Sequence, residues 1–194
     1  MLVLVRHGET AANTEGRLLG RADPSLTELG REQVERLAVA LVPVRAAAIV
    51  SSPLLRARET AGAIADLAGA SVEVDDRLIE LDYGEWDGRT FAELPSGAAR
   101  RWRDDPTFAP PGGESLVAVR ARVTPCCEEL LARSGVTVAV SHVSPIKAAV
   151  VWALGAGDEI GWRMRLGLAS ITRLELSNDR PCLIAFNDTG HLDR

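Results

Sequence analysis

Two of the three histidines in this chain of 194 residues directly follow short apolar runs, where sheet proteins often present ligand-binding side chains. The first, His7, stands between Arg6 and Gly8. An imidazole can attack an electrophilic centre, an adjacent guanidinium can fix an anion, and glycine lets the backbone approach a ligand closely. The second is His142. A lone histidine is more often structural, but the two together predict chemistry on an anionic substrate.

Arg56 is a further candidate, because it falls in the first turn of a predicted helix behind another apolar run. A cation is unfavourable there by a few tenths to about 1 kcal/mol, since the amino end of the helix dipole is positive. An anion shared by the arginine and the free N–H groups reverses that preference. The alternative is that Arg56 and Arg58 point to solvent, or pair with Glu59 or the acidic residues 75–82. We favour that alternative for Arg58 only.

The elements that must position these residues alternate between buried strands and amphipathic helices. Apolar runs predict strands at residues 2–5, 47–51, 72–74 and 136–140, and a hairpin at residues 171–176 and 182–186 around Asn178-Asp179. Helix boundaries are indicated by Thr27 as a cap and Pro43 as a stop, by Pro53, and by Ser144 as a cap before Pro145. This order predicts an α/β fold, a three-layer α/β/α sandwich with a mostly parallel central sheet.

The middle of the chain is less regular. Residues 75–88 are acidic and lack periodicity, which predicts a long loop of the kind that often carries function. Residues 91–103 predict one helix. Another helix begins near Ser115, and Pro125 should kink it because proline removes one backbone donor.

Composition excludes several classes of protein. The net charge is −5, whereas a nucleic-acid-binding protein should show basic patches. No apolar run approaches the roughly 18 residues of a membrane helix, so we expect no membrane partner and a cytoplasmic location. The three cysteines contain no C-x-x-C pair, so neither a disulfide framework nor a zinc site is indicated. We expect neither a metal nor a cofactor.

The size of the chain predicts one domain, residues 1–194, with one sizeable core. The oligomeric state is left open, with a homodimer as one alternative, because the sequence contains no coiled-coil heptads.

The motifs, taken in order, resemble those of the histidine phosphatase superfamily, also called phosphoglycerate-mutase-like proteins. They are Arg6-His7-Gly8-Glu9-Thr10 with Asn13, Ser51-Ser52-Pro53-Leu54-Leu55-Arg56-Ala57 with Thr60, Leu78-Ile79-Glu80-Leu81-Asp82-Tyr83-Gly84-Glu85-Trp86-Asp87-Gly88, Pro111-Gly112-Gly113-Glu114-Ser115, Ser141-His142, and Asn187-Asp188-Thr189-Gly190-His191-Leu192. They span essentially the whole chain, and the combination is highly specific.

The resemblance implies a catalytic role for five residues. His7 would be the nucleophile, forming a phosphohistidine intermediate. Arg6, Arg56 and His142 would hold the phosphoryl group, and Glu80 would donate a proton to the leaving oxygen. Charge-assisted hydrogen bonds of about 1.5–3 kcal/mol each make two arginines and a histidine a strong clamp for a phosphate monoester.

The resemblance also places substrate-binding positions at Asn13, Gly8, Thr10 and Val143. Val143 departs from the family, which commonly has glycine there, so it should offer only a backbone N–H and make the pocket wall bulkier. Lys147 stands where members often carry arginine. It would either reach the distal part of the substrate or be solvated, and we favour the solvated alternative.

The function expected from the resemblance is a metal-independent phosphomonoesterase acting on a small-molecule phosphate monoester. The short chain is more similar to the broad-specificity and alpha-ribazole phosphatase branch than to mutases with extra segments. The alternatives are a phosphoglycerate mutase-type isomerase and a catalytically silent phosphate-binding module.

Overall fold

One six-stranded sheet forms the centre of the computed structural model, which describes residues 1–193. The strands are β1 (Leu2–Arg6), β2 (Ala48–Ser51), β3 (Val72–Val74), β4 (Thr137–Ser141), β5 (Ile171–Ser177) and β6 (Arg180–Asp188). Their order across the sheet is β3-β2-β4-β1-β5-β6. The first four strands pair in parallel, β5 is antiparallel to β1, and β6 is antiparallel to β5.

Helices cover both faces of this sheet. They are α1 (Ala11–Thr14), α2 (Glu28–Leu41), α3 (Leu55–Ala68), α4 (Ala98–Asp104), α5 (Leu116–Ala132) and α6 (Val143–Ala153). Leu2 and Leu4 of β1 belong to the core under α5 and α6, whereas Val3 and Val5 belong to the core under α2 and α3. Successive side chains of a strand point to opposite faces, so a uniformly apolar strand is buried on both. The predicted three-layer α/β/α sandwich with a mostly parallel sheet is confirmed.

Several predicted boundaries are also observed. The Thr27 side chain accepts a hydrogen bond from Gly30 N at the start of α2, and α2 ends at Leu41, just before Pro43. The hairpin turn has positive φ at Asn178 and Asp179, which suits the tight turn that joins β5 to β6.

Other boundaries were predicted wrongly. The single helix expected at residues 91–103 is a short 3-10 turn at Phe91–Glu93 followed by α4, with Pro95 between them. Helix α3 begins at Leu55 rather than at Pro53.

The start of α6 was also misplaced. The helix begins at Val143, so His142 rather than Ser144 occupies the cap position. A carboxylate from a distant loop accepts the first N–H groups of this helix, and no local sequence signal reports that.

Two glycines allow the loop after β1 to lie against α2. A Cβ on Gly8 would come within 2.6 Å of Gly30 O, and a Cβ on Gly30 would overlap Glu9 O. The Thr27 hydroxyl also donates to Glu9 Oε1 at 2.9 Å. The main chain around His7 is therefore held by backbone contact with α2.

Gly30→Ala should destabilise the protein although alanine is the better helix former. The added methyl group must displace the Glu9 backbone, which should cost about 1–3 kcal/mol. The control is Gly62→Ala in α3, where nothing lies within 4 Å of an added Cβ. That change should stabilise by about 0.5–1 kcal/mol. Urea unfolding of both variants measures the difference, and a stabilised Gly30→Ala variant would contradict the close approach.

No helix within residues 1–193 is long and apolar enough to cross a membrane.

Candidate active site

The register of the parallel strands brings the two histidines together. Arg6 of β1 lies opposite Ser141 of β4, so His7 and His142 each stand one residue beyond a paired position at the same edge. His7 N also donates to Ser141 O at 3.1 Å. The centroids of the two imidazole rings are 5.1 Å apart.

A backbone contact sets the tautomer of His7. Its Nδ1 lies 2.7 Å from Gly8 O. Because a carbonyl oxygen only accepts, Nδ1 must carry the proton and Nε2 must carry the lone pair. Burial, followed by the charges of Arg6 and Arg56, lowers the pKa of His7 well below its usual value. The ring is therefore neutral near pH 7, with Nε2 available as a nucleophile.

His142 is fully buried and is oriented by a serine from the next strand end. Its Nε2 lies 2.7 Å from Ser52 Oγ. Burial and then the charges at His7, Arg56 and Arg6 lower the pKa of His142 well below the usual value. Two histidines and two arginines thus share one buried region.

Carbonyl oxygens hold the two arginines. Arg6 donates from Nη1 to Leu166 O at 2.6 Å. Arg56, which is 0% exposed, donates to Ala22 O at 2.8 Å and to Gly20 O at 2.9 Å. Burial lowers the pKa of Arg6 to about 10, so its guanidinium is still charged at neutral pH.

Arg56 therefore points inward, whereas its neighbour Arg58 is exposed as expected. The buried position of Arg56 excludes the alternative in which it points to solvent. Burial lowers the pKa of Arg56, and the negative charges of Glu80 and of Asp23, which lies 4.0 Å away, partly oppose this shift.

Three buried nitrogen atoms in this region have no hydrogen-bond partner within residues 1–193. They are Arg6 Nε, Arg56 Nε and His142 Nδ1. An unpaired buried donor costs about 1–3 kcal/mol, and such groups are rare in folded proteins. An oxyanion that accepts from the two guanidinium Nε–H groups would remove that cost, so the arrangement suits a phosphoryl group.

Glu80 is held by N–H groups at the amino end of α6. Its Oε1 accepts from Leu81 N at 2.8 Å and Ser144 N at 3.1 Å, and its Oε2 accepts from Val143 N at 3.1 Å. A carboxylate has about four lone-pair sites, so the remaining one is on Oε2. The Val143 N–H, expected to bind substrate, is instead committed to Glu80.

Arg122 supports the loop that carries Glu80, and no local sequence signal indicates this contact. From α5 it donates to Arg77 O at 2.6 Å and Glu80 O at 3.3 Å, while Glu114 accepts from its guanidinium at 2.8 and 3.0 Å. Ser141 Oγ also donates to Leu78 O at 2.6 Å. The acidic loop is thus tied to both α5 and β4.

Asp87 orients Arg56 indirectly, a role that the sequence also did not reveal. Its carboxylate accepts from Gly20 N, Arg21 N and Ala22 N at 2.8, 2.9 and 3.0 Å. The carbonyl oxygens of Gly20 and Ala22 accept from Arg56. A substitution of Asp87 would therefore shift the Arg56 guanidinium by moving the loop at residues 20–22.

The other predicted binding positions lie in the loop after His7. The Gly8 N–H donates to Thr60 Oγ1 at 3.2 Å, and Thr10 donates from N and Oγ1 to Asn13 Oδ1 at 3.0 and 2.9 Å. The structure brings these residues beside His7, but it uses Gly8 N–H and the polar groups of Thr10 to shape the loop.

An apolar cavity of about 220 Å³ adjoins the start of α6. Its lining residues are Leu18, Tyr83, Phe91, Trp102, Leu116, Val119, Val143, Ser144, Lys147, Ala148, Val151, Asp158, Gly161 and Trp162. We call this the apolar cavity. Lys147 lines it and is partly exposed.

No group of three or more histidine, cysteine, aspartate or glutamate side chains capable of holding a metal occurs within residues 1–193.

Residues 2–189 match the family model described as histidine phosphatase superfamily (branch 1). The chain belongs to the histidine phosphatase superfamily. It is 36% identical over 197 residues to phosphoserine phosphatase 1 of Hydrogenobacter thermophilus, covering 98% of this chain and 93% of that one. The structure of mycobacterial glucosyl-3-phosphoglycerate phosphatase with VO3 superposes with a TM-score of 0.89 at 36% identity, covering 96% of this chain and 98% of that one.

Some relatives are much longer than this superfamily member. A bifunctional protein of Mycobacterium tuberculosis is 41% identical over 198 residues, which cover 98% of this chain but 54% of the relative. The chain thus spans about half the length of the first curated relatives it matches.

The two buried histidines should make stability depend on pH. An unfolded chain binds a proton at each histidine below about pH 6.5, whereas native His7 and His142 stay neutral. Their stabilising effect is complete above that pH and is lost as pH falls, by up to about 1.4 kcal/mol per pH unit for each histidine. His142→Gln should flatten the unfolding free energy between pH 6.5 and 5.5 accordingly. Urea titrations test this, and an unchanged slope would show that His142 is protonated in the native state.

Proposed function

We propose that this chain is a phosphomonoesterase that hydrolyses small phosphorylated metabolites through a phosphohistidine on His7. The observation that carries the proposal is the set tautomer of His7. Its Nδ1–H is bound to Gly8 O, so the lone pair of Nε2 is free in a region that also contains Arg6, Arg56 and His142. A neutral nucleophile surrounded by cationic and N–H donors is suited to attack on a dianionic phosphoryl group.

In the first step, His7 Nε2 forms a bond to phosphorus as the ester P–O bond breaks. The electron pair of that bond goes to the leaving oxygen, which takes a proton from Glu80 Oε2. Arg6, Arg56 and His142 bind the non-bridging oxygens and stabilise their charge in the transition state. Each charge-assisted hydrogen bond contributes about 1.5–3 kcal/mol.

In the second step, water attacks the phosphorus of phospho-His7. Glu80, now a carboxylate, takes one proton from the water as the N–P bond breaks and the electron pair returns to Nε2. Inorganic phosphate leaves, and both side chains regain their starting protonation. The free lone pair on Glu80 Oε2 is what allows one oxygen to serve in both steps.

Relatives support the reaction class. Proteins similar to this chain over most of its length carry the names phosphoserine phosphatase and glucosyl-3-phosphoglycerate phosphatase, both phosphomonoester hydrolases. We further infer that residues 1–194 are one histidine phosphatase domain, since the strands and helices around one six-stranded sheet position the site residues. The cysteines, all unpaired, are consistent with a cytoplasmic location.

His7→Ala should reduce phosphate release from p-nitrophenyl phosphate by at least about 10³-fold, because removing a nucleophile removes the covalent route. The matched control is His191→Ala, which should retain activity because His191 lies outside this site. 3-Phosphoglycerate with its bisphosphate primer is assayed in parallel. Isomer interconversion without net release would indicate a mutase, and no turnover of any ester would indicate a phosphate-binding module.

Glu80→Gln should lower kcat/KM for alkyl phosphates by about 10²–10⁴-fold and for p-nitrophenyl phosphate far less, because p-nitrophenolate leaves without a proton. The ratio kcat/KM reports steps only through release of the alcohol, so slow hydrolysis of phospho-His7 does not obscure it. The variant should release a burst of p-nitrophenolate. Equal losses for both classes of ester would rule out Glu80 as the proton donor.

A further inference from the structure

The position of Glu80 indicates where the organic part of a substrate lies. In an in-line displacement the leaving oxygen is opposite the attacking Nε2 of His7, and it must be within reach of Glu80. Val143 and Ser144 donate their N–H groups to Glu80 and also line the apolar cavity. The group attached to the leaving oxygen therefore begins at the mouth of this cavity.

The size and lining of the apolar cavity suit a ring. An apolar cavity of roughly 150 Å³ can hold benzene, so about 220 Å³ leaves room for a substituted ring. Phe91, Trp102 and Trp162 supply aromatic surface, with the Trp102 and Trp162 ring centroids 4.7 Å apart. An apolar group gains from leaving water, whereas a polyol must replace the hydrogen bonds it loses.

Two indole donors among the lining residues lack an acceptor. The Nε1–H groups of Trp102 and Trp162 are buried and have no partner within residues 1–193. The carboxylate of Asp158, the acidic group of the lining, is paired with Arg120 at 3.2 Å. A sugar needs acceptors for its hydroxyl protons, while a carboxylate needs only donors.

Lys147 adds a positive charge to this set of donors. It is the only lysine of the chain, and no acidic group lies within 4 Å of its ammonium within residues 1–193. Burial, followed by the charge of Arg6, lowers its pKa. An anion entering the cavity would offset the cost of keeping this ammonium charged.

We propose that the apolar cavity is the leaving-group site, and that it selects phosphomonoesters whose organic part is an apolar ring bearing a carboxylate for Lys147. This inference rests on the proposed phosphatase function and adds the substrate class. The phosphoryl group lies at His7, the ester oxygen at Glu80, the ring against Trp102 and Trp162, and the carboxylate at Lys147.

The test compares three phosphates of primary alcohols: 4-carboxybenzyl phosphate, 4-carbamoylbenzyl phosphate and glucose 6-phosphate. The methylene group limits the electronic effect of the ring substituent on the ester oxygen. The two benzyl esters therefore differ mainly in charge at the far end of the ring. Wild type should prefer the carboxylate over the carboxamide by about 10- to 100-fold in kcat/KM, as expected for a partly buried charge-assisted contact. Glucose 6-phosphate should be the poorest of the three.

Lys147→Met should abolish the preference for the carboxylate, because kcat/KM for the carboxylate ester falls to about that for the carboxamide when the charged contact is lost. Lys147→Arg should restore the preference. Arg180→Met is the matched control, since it removes an exposed positive charge from the β5–β6 hairpin and should leave the ratio unchanged.

An unchanged ratio in Lys147→Met would overturn the carboxylate site. An equal loss for all three esters, with weaker inhibition by inorganic phosphate, would instead place Lys147 at the phosphoryl group. Faster turnover of glucose 6-phosphate would show that the cavity does not select apolar rings. The proposed phosphatase function is tested separately, by hydrolysis of p-nitrophenyl phosphate by wild type and its loss in His7→Ala.

Discussion

Positive charge gathered around a neutral nucleophile is the interaction on which the rest of this structure depends. Arg6 and Arg56 lie near enough to lower the pKa of His7, and backbone carbonyl oxygens accept hydrogen bonds from both guanidinium groups. Carbonyl dipoles orient a guanidinium without cancelling its charge, which an acidic side chain would do. The two guanidinium groups, each with an unpaired Nε–H, therefore suit the binding of an anion, and the phosphomonoesterase function that we propose would place a phosphoryl dianion there.

The same requirement for free guanidinium groups explains which donors hold the Glu80 carboxylate. A carboxylate paired directly with Arg6 or Arg56 would occupy the groups that we propose to bind phosphate. Within residues 1–193, Glu80 instead forms no ion pair within 4 Å and is held by Leu81, Val143 and Ser144 N–H groups. The positive end of the α6 dipole stabilises the acidic group, leaving the arginines free. The amino end of α6 thus binds the acidic group, so the carboxylate does not pair directly with the arginines nearby.

Local sequence signals predicted the fold because the determinants of each element are short in range. Apolar runs are buried on both sheet faces, Thr27 caps α2, and Asn178-Asp179 forms the hairpin turn. The errors arose where a distant group competes with the local signal. Ser144 has the properties of a cap, yet the Glu80 carboxylate satisfies the start of α6 from 64 residues away in sequence. In residues 91–103, Pro95 outweighed the helical pattern.

The sequence alone predicted an anion near His7, His142 and Arg56, since histidines near strand ends and an arginine at a helix start are unusual together, and the family resemblance added Glu80. Their meeting at one point depends on strand register, which pairs Arg6 with Ser141 across 135 residues and is set by packing of the whole sheet. The supports from Asp87 and Arg122, and the position of Lys147 in the lining of a cavity, likewise required the folded chain. These contacts join residues that are distant in sequence, and a local sequence pattern carries no information about which distant residues meet.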